Sequence, residues 1–423
     1  MRKWQISITV LVAILTLLAG QVFAEKTKIV WAIGSATRLP AYENIAKQYM
    51  ALNPNVEVSI NVIANSYNST LQTWLVSGVQ VDLLWIGAAL VSIGDLLLPV
   101  DDLVQKDKYV GGIHPSLLAT AKWDGKQIGL PFGVNTNVVY YNKQMFSTAG
   151  VAKPADNWTY SDLTSIGKKI TTDTNGDGKP DIWGVSPYGT VVPLVQGGNF
   201  YNADRRKANF NNPVSVEAMQ YIIDLNNGKY GICYPQVPSA QRDPMFFDGK
   251  VAMYNNGTFF LPTMGSNAKY DWDLVPFPGW VRDGKRYDAT FVSLENWAVN
   301  RNTKNQAITK DFLSFLFSPK AMEPIVNLGV VIPSQSQHWA DYIKQQTPPD
   351  NIYAFMKSID YTRGLYWDHP LGAAIESNVL STNNTLYKNM TKGTVPASLA
   401  FPELEKQVNA YLDEWWANRD SGK

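Results

Sequence analysis

The segment Asp173-Thr174-Asn175-Gly176-Asp177-Gly178-Lys179-Pro180-Asp181 carries the most explicit chemistry in the chain. It follows the D-x-N-x-D-G opening of a calcium-binding loop. Asp173, Asn175 and Asp177 supply side-chain oxygens at the first, third and fifth positions. The Lys179 carbonyl takes the seventh, Asp181 the ninth, and Gly178 permits the sharp turn. The twelfth position holds Gly184, where a bidentate Glu belongs. Three carboxylates this close repel one another without a cation, which favours a structural calcium ion. The alternative is a Gly- and Asp-rich turn held by Asx hydrogen bonds.

No other cluster has metal-ligand spacing, and no required cofactor is expected. His114, His338 and His369 are far apart and Cys233 is the single cysteine, so neither a zinc set nor an intrachain disulfide can be assembled. Cleaving a glycosidic bond needs two carboxylates facing across it. Glu295 and Glu376 can be nominated, but nothing in their contexts points to a hydrolase, so an enzyme is not expected. With 37 Lys+Arg against 36 Asp+Glu, the chain lacks the basic excess of a nucleic-acid binder. Charged residues are only 17%, whereas aromatics reach 12%, with 14 Trp and 21 Tyr. That mix suits a neutral polar ligand with apolar faces, and equally suits a large core.

These groups need a scaffold, and 423 residues suggest two or three units. Residues 1–24 read as an export signal: Arg2 and Lys3, an apolar run over 6–19, then Val22-Phe23-Ala24 as the cleavage site. No Cys follows that run, so a lipid anchor is not expected and the product is a soluble periplasmic protein. Residues 28–34 form a buried strand, 42–50 a helix stopped before Asn53-Pro54, and 56–62 a strand alternating wet and dry. A helix over 69–77 and a strand over 81–86 complete a β-α-β-α-β order, which indicates parallel pairing. Residues 129–133 mark a break before a strand at 137–142. Helices follow at 161–170, 213–226, 309–317 and 402–416, with strands at 251–254, 272–276 and 297–300.

Several segments, in this order, carry a resemblance. They are Ile29-Val30-Trp31, Asn53-Pro54 before the alternating strand, Asp82-Leu83-Leu84-Trp85, and Leu130-Pro131-Phe132-Gly133 through Val139-Tyr140-Tyr141-Asn142-Lys143-Gln144-Met145-Phe146. Gln196-Gly197-Gly198, Phe247-Asp248-Gly249-Lys250-Val251-Ala252-Met253 and Asn256-Gly257 extend it. Each is weak alone, but together the chain resembles the extracellular solute-binding proteins of ABC sugar importers, the group that includes the maltose binder. The resemblance implies two α/β lobes joined by crossing hinge strands, with the ligand in the interlobe cleft. It places the crossings near 133–140, 291–300 and 329–334. Lobe one is then 25–135 plus 298–335, and lobe two is 136–297 plus 336–423. It also implies a carbohydrate ligand, a membrane permease as partner, and a monomer. A polyamine or polyol phosphate on the same fold is the alternative.

Ligands of open α/β sheets sit beyond the carboxyl ends of the strands. Sugar hydroxyls want paired donors and acceptors such as Asn, and sugar C–H faces want aromatic rings. The loops after the strands therefore offer Ser35, Arg38, Asn65, Tyr67, Trp85, Gly87, Asn256 and Phe259. The resemblance adds Asn135 and Trp297 in the crossings, and Trp367 and His369 in a segment that borders the cleft in relatives. It also matches Phe259 to a stacking aromatic. Trp31 and Trp85 read equally as core, Arg38 as a surface or helix-start cation, and His369 as a turn residue before Pro370. Related alginate binders suggest that the calcium loop can close through Asp181 and water. Arg38 and that analogy keep an acidic sugar open.

Overall fold

The computed structural model describes residues 26–422 other than 65, 235–238, 291, 330 and 346–348. The expected leader therefore lies outside the described residues. Strand β1 (Thr27–Ile33) is buried from Ile29 to Ile33 and pairs in parallel with β2 (Val56–Val62) on one side and β3 (Leu83–Ile86) on the other. Being flanked on both edges, β1 needs an apolar run, whereas β2 at the sheet edge alternates. Between them, α1 (Leu39–Leu52) lays Tyr42, Ile45, Ala46 and Tyr49 on the sheet. Helix α2 (Tyr67–Ser77) ends at Gly78, whose φ of 77° suits glycine.

The long strand β4 (Leu130–Asn142) starts well before the expected 137 and takes Pro131 and Gly133 into its body. Pro131 is tolerated because it lies opposite a register shift between Glu295 and Asn296. Gly133 is needed because a Cβ there would stand 2.8 Å from Val331. The expected break at 129–133 is thus a strand passing under a close neighbour. Further along are helices α3 (Tyr160–Ile170) and α4 (Pro213–Asn226), and strands β5 (Trp183–Val185), β6 (Val251–Gly257) and β7 (Trp272–Val275). Strand β8 (Val292–Val299), helix α5 (Gln306–Leu316), strand β9 (Ile332–Pro333) and helix α6 (Ala397–Asp420) follow. Strand β8 begins five residues before the expected 297. Helix α6 runs beyond both ends of the expected 402–416 and carries Pro402 inside it.

The sheet order is β2-β1-β3-β8-β4-β6-β5, with β7 and β9 also on β4. The first half of β4 pairs with β8 and β9, and its second half with β6 and β7. One strand thus belongs to two half-sheets. Over the second half, Leu163, Ile222, Phe401 and Leu404 share a core with Val139. Beside the first half, Trp31 meets Tyr42, Trp297 and Phe312 at ring-centroid distances of 5.0, 5.1 and 5.2 Å. Among the described residues no helix is long and apolar enough to cross a membrane.

Candidate functional site

The groove begins where β3 ends. Gly87 and the turn Ala88–Leu96, through Val91, form one wall with Thr120. The entry half of β8 gives the floor, with Val292, Ser293, Leu294 and Asn296. The segment 362–368 gives the opposite wall through Thr362, Arg363, Leu365, Trp367 and Asp368, around a cavity of about 100 Å³. A second cavity of about 280 Å³ shares Thr120, Thr362 and Asp368 with it and runs on to Asn199, Tyr201 and Arg205. The two are neighbouring parts of one groove.

Local hydrogen bonds fix the far wall. Gly364 N–H donates to Asn199 Oδ1 at 2.9 Å, and Leu365 N–H to Asp368 Oδ2 at 3.0 Å. Tyr201 Oη donates to the Tyr366 carbonyl at 2.7 Å. Gly372 lets the next helix sit on the Trp367 backbone, since a Cβ there would be 2.5 Å from Trp367 Cα. In the floor, Asn135 faces Ser293 across the β4–β8 ladder. Asn135 is 9% exposed and Asn296 3%, and neither Oδ1 finds a donor among the described residues. A buried acceptor with no donor is costly, and a ligand hydroxyl supplies one. Burial pushes the Asp368 carboxyl up to about 6, with Arg205 and the Leu365 N–H opposing. The Arg363 guanidinium is pulled down by burial, with Asp288 opposing.

Of the expected residues, Gly87 and Trp367 line the groove, and Asn135 stands opposite floor residue Ser293. Trp85 is half-buried, edge-on to Tyr67 at 5.2 Å and within 3.6 Å of the Gly87 Cβ direction. Tyr67 braces it, donating from Oη to the Trp85 carbonyl at 2.6 Å. Arg38 is drawn onto Glu295 in an ion pair. Ser35 bonds Thr37 Oγ1 at 2.8 Å, away from both cavities. Asn256 accepts from Gly257 N–H at 2.8 Å, and Phe259 is 56% exposed; neither lines the groove. Trp297 is fully buried in the aromatic knot and His369 is 1% exposed, so neither ring has a face left for a ligand. Asn65 lies outside the described residues.

Sequence reasoning missed Ser293 and Asn296, although it had placed a crossing at 291–300. It chose the aromatic residue of that strand. Neighbouring strand side chains point to opposite faces, and the polar Asn296 next to Trp297 was the available signal. Thr120, Thr362, Arg363 and Asp368 reach the groove from distant segments, so nothing local marked them.

The 173–181 loop is on the surface and its acceptors serve the loop itself. Asp173 Oδ1 and Oδ2 accept from Gly176 and Gly178 N–H at 2.7 and 2.8 Å, and Asp177 Oδ1 accepts from Lys179 N–H at 2.8 Å. Asp181 Oδ2 accepts from Thr174 Oγ1 at 2.6 Å, which lowers its carboxyl pKa. Position twelve cannot carry a longer ligand, because a Cβ on Gly184 would be 2.5 Å from Gly167 Cα. Among the described residues no three acidic, His or Cys side chains are gathered as a metal group.

Residues 34–323 match the family model described as bacterial extracellular solute-binding protein. A binding protein of Brucella abortus is 25% identical over 343 residues, covering 75% of this chain and 77% of that one. The arabinooligosaccharide-binding protein of Bacillus subtilis is 24% identical over 343 residues, covering 74% and 76%. Among solved structures, the sugar-binding protein MalE of Xanthomonas citri superimposes with a TM-score of 0.76 at 16% identity, covering 93% of this chain and 99% of that one. That likeness establishes the expected two-lobed α/β fold.

Proposed function

The chain belongs to the bacterial extracellular solute-binding proteins, and from that premise we propose that it captures a carbohydrate and delivers it to the permease of an ABC importer. The carrying observation is the groove floor: buried Asn296, and Asn135 across the ladder from floor residue Ser293, each carry an acceptor with no donor among the described residues, and Trp367 lines the wall. Acceptors beside an aromatic face match alternating hydroxyls and C–H faces. The Bacillus and Xanthomonas relatives are named as an oligosaccharide binder and a sugar binder, which supports the same class. Turnover is not proposed.

On this reading residues 1–24 direct export to the periplasm without a lipid anchor, and the protein works as a monomer. The lobes are 25–135 plus 298–335 and 136–297 plus 336–423, hinged through β4, β8 and β9. Closure over the ligand presents the surface the permease reads.

The test is thermal melting of the mature chain with a panel of mono- and oligosaccharides. A sugar at a hundred times its Kd adds about 2.7 kcal/mol, a shift of a few degrees. Asn296→Leu keeps the volume and removes the acceptor, and is expected to weaken the same sugar about tenfold. A shift that survives Asn296→Leu intact would move the site elsewhere. No shift with any sugar but one with spermidine or a polyol phosphate would replace the ligand class. We also propose a structural calcium ion held by Asp173, Asn175, Asp177, the Lys179 carbonyl and Asp181, with Asp181 as closing ligand. EDTA in the same melt is expected to lower the midpoint, and an unchanged midpoint reduces the loop to an Asx-bonded turn.

A further inference from the structure

Helix α6 is rooted in one half of the molecule and ends on the other. Its residues Phe401, Leu404, Val408 and Leu412 are buried in the core over the second half of the sheet. Its last turns leave that core. Trp415 lies edge-on to Trp123 at 5.9 Å, and Trp416 packs against both this core and the cluster that holds Ala32, Leu84, Val91 and Trp123. Arg419 reaches further. Its Nη1 and Nη2 donate to Asp95 Oδ2 and Oδ1 at 2.9 and 3.4 Å, and its guanidinium lies over the rings of Trp123 and Trp415 at 5.5 and 5.3 Å. The socket is built for this: Trp123 rests on Gly94, where a Cβ would come within 2.6 Å of its Cδ1.

The socket is also part of the groove wall. Asp95 and Gly94 belong to the turn Ala88–Leu96, whose Val91 lines the groove. A second strap runs beside the first, since Arg205 lines the groove and donates from Nη1 at 3.0 Å to the Lys122 carbonyl, two residues beyond Thr120 of the facing wall. We propose that Trp415, Trp416 and Arg419 form a latch that holds the two groove walls together even without ligand. They are positioning residues, acting on the ligand only through the wall they hold.

The physical consequence follows from population shift. A ligand that needs the closed form binds with an apparent Kd equal to the intrinsic one divided by the closed fraction. A latch that raises that fraction before the ligand arrives raises affinity, and it slows release because the walls must part first. Cation–π and aromatic contacts are weak individually but add here within one partly desolvated patch. This inference builds on the groove reading, yet its test needs no ligand and so can fail independently of it.

The experiment is small-angle X-ray scattering of the mature chain with no ligand added, for the wild type, Arg419→Ala, Arg419→Lys and Asp95→Asn. The wild type is expected to show the radius of gyration of a closed molecule. Arg419→Ala should expand toward an open form while circular dichroism keeps its helix content. Arg419→Lys retains charge without the planar fork and should fall between the two. Asp95→Asn leaves α6 untouched and should expand it as well, which separates unlatching from damage to the helix. Scattering identical to wild type in both Arg419→Ala and Asp95→Asn overturns the proposal, as does a wild type already open.

Discussion

Arg38→Ala is expected to lower the unfolding free energy by about 3–5 kcal/mol, against the ~0.2–1 kcal/mol of an exposed pair. The side chains of Arg38 and Glu295 are only 19% and 5% exposed. Burial works against the charge on Arg38, but Glu295 more than offsets it, and the guanidinium is held above its ordinary value. Tyr42 completes the group; its phenol is pushed up by burial and then by Glu295, so it stays neutral beside the pair. Removing the guanidinium leaves the Glu295 carboxylate buried with no ionic partner. The damage would also reach the groove, because Glu295 sits between Leu294 and Asn296 at the register shift of β8. Replacing both partners, Arg38→Met with Glu295→Gln, removes the stranded charge and is expected to recover most of the loss. Urea melts at pH 7 of the wild type, the single variant and the double variant decide it. A single-variant loss below about 1 kcal/mol would mean that water screens the pair.

This pair also shows where sequence reading reaches its limit. Arg38 was a candidate because it follows β1, and a loop after a strand is a local feature. Its partner is 257 positions away in chain order, as Arg38 to Glu295, and no local pattern announces that contact. The parallel β1, β2 and β3 and helices α3 and α4 were legible, because hydrophobic period and punctuation are local signals. The start of β4 was not, because Pro131 and Gly133 normally end a strand. Only the register shift in β8 and the closeness of Val331 explain them. The groove was half legible for the same reason. Gly87 follows a readable strand, and Asn135 lies in a crossing that the resemblance located. Thr120, Arg363 and Asp368 arrive from segments whose local sequence says nothing about where they meet. His369 was placed near the cleft and does stand next to Asp368, yet its ring turns into a nest of Trp123, Tyr201, Trp415 and Trp416.

Asp368→Asn is expected to make the protein about 3 kcal/mol more acid-sensitive than the wild type between pH 6.5 and 4. Burial lowers the His369 imidazole from 6.5 to about 4, and the nearby Arg205 and Arg419 charges push the same way. Its Nδ1 accepts from Leu371 N–H at 3.2 Å, which favours the neutral ring. As pH falls from 6.5 towards 4, the unfolded chain takes up a proton at this His and the folded chain does not. Stability that is fully present above pH 6.5 is therefore lost. Asp368 runs the other way. Burial raises its carboxyl from 3.8 to about 6, so over nearly the same window the folded chain binds a proton that the unfolded chain releases. Its contribution is complete below pH 3.8 and is lost as pH rises through about 6. The two neighbours thus offset each other, and each alone is worth about 3 kcal/mol. Asp368→Asn keeps the shape and removes the acid-side gain, leaving the His369 loss exposed. His369→Gln should do the opposite and make the protein less acid-sensitive than the wild type by a similar amount. Other titrating groups are common to all three proteins and cancel in the differences. Urea midpoints at pH 7 and pH 4.5 give the answer, and parallel pH profiles for the wild type and Asp368→Asn would show that this carboxyl titrates as it does in water.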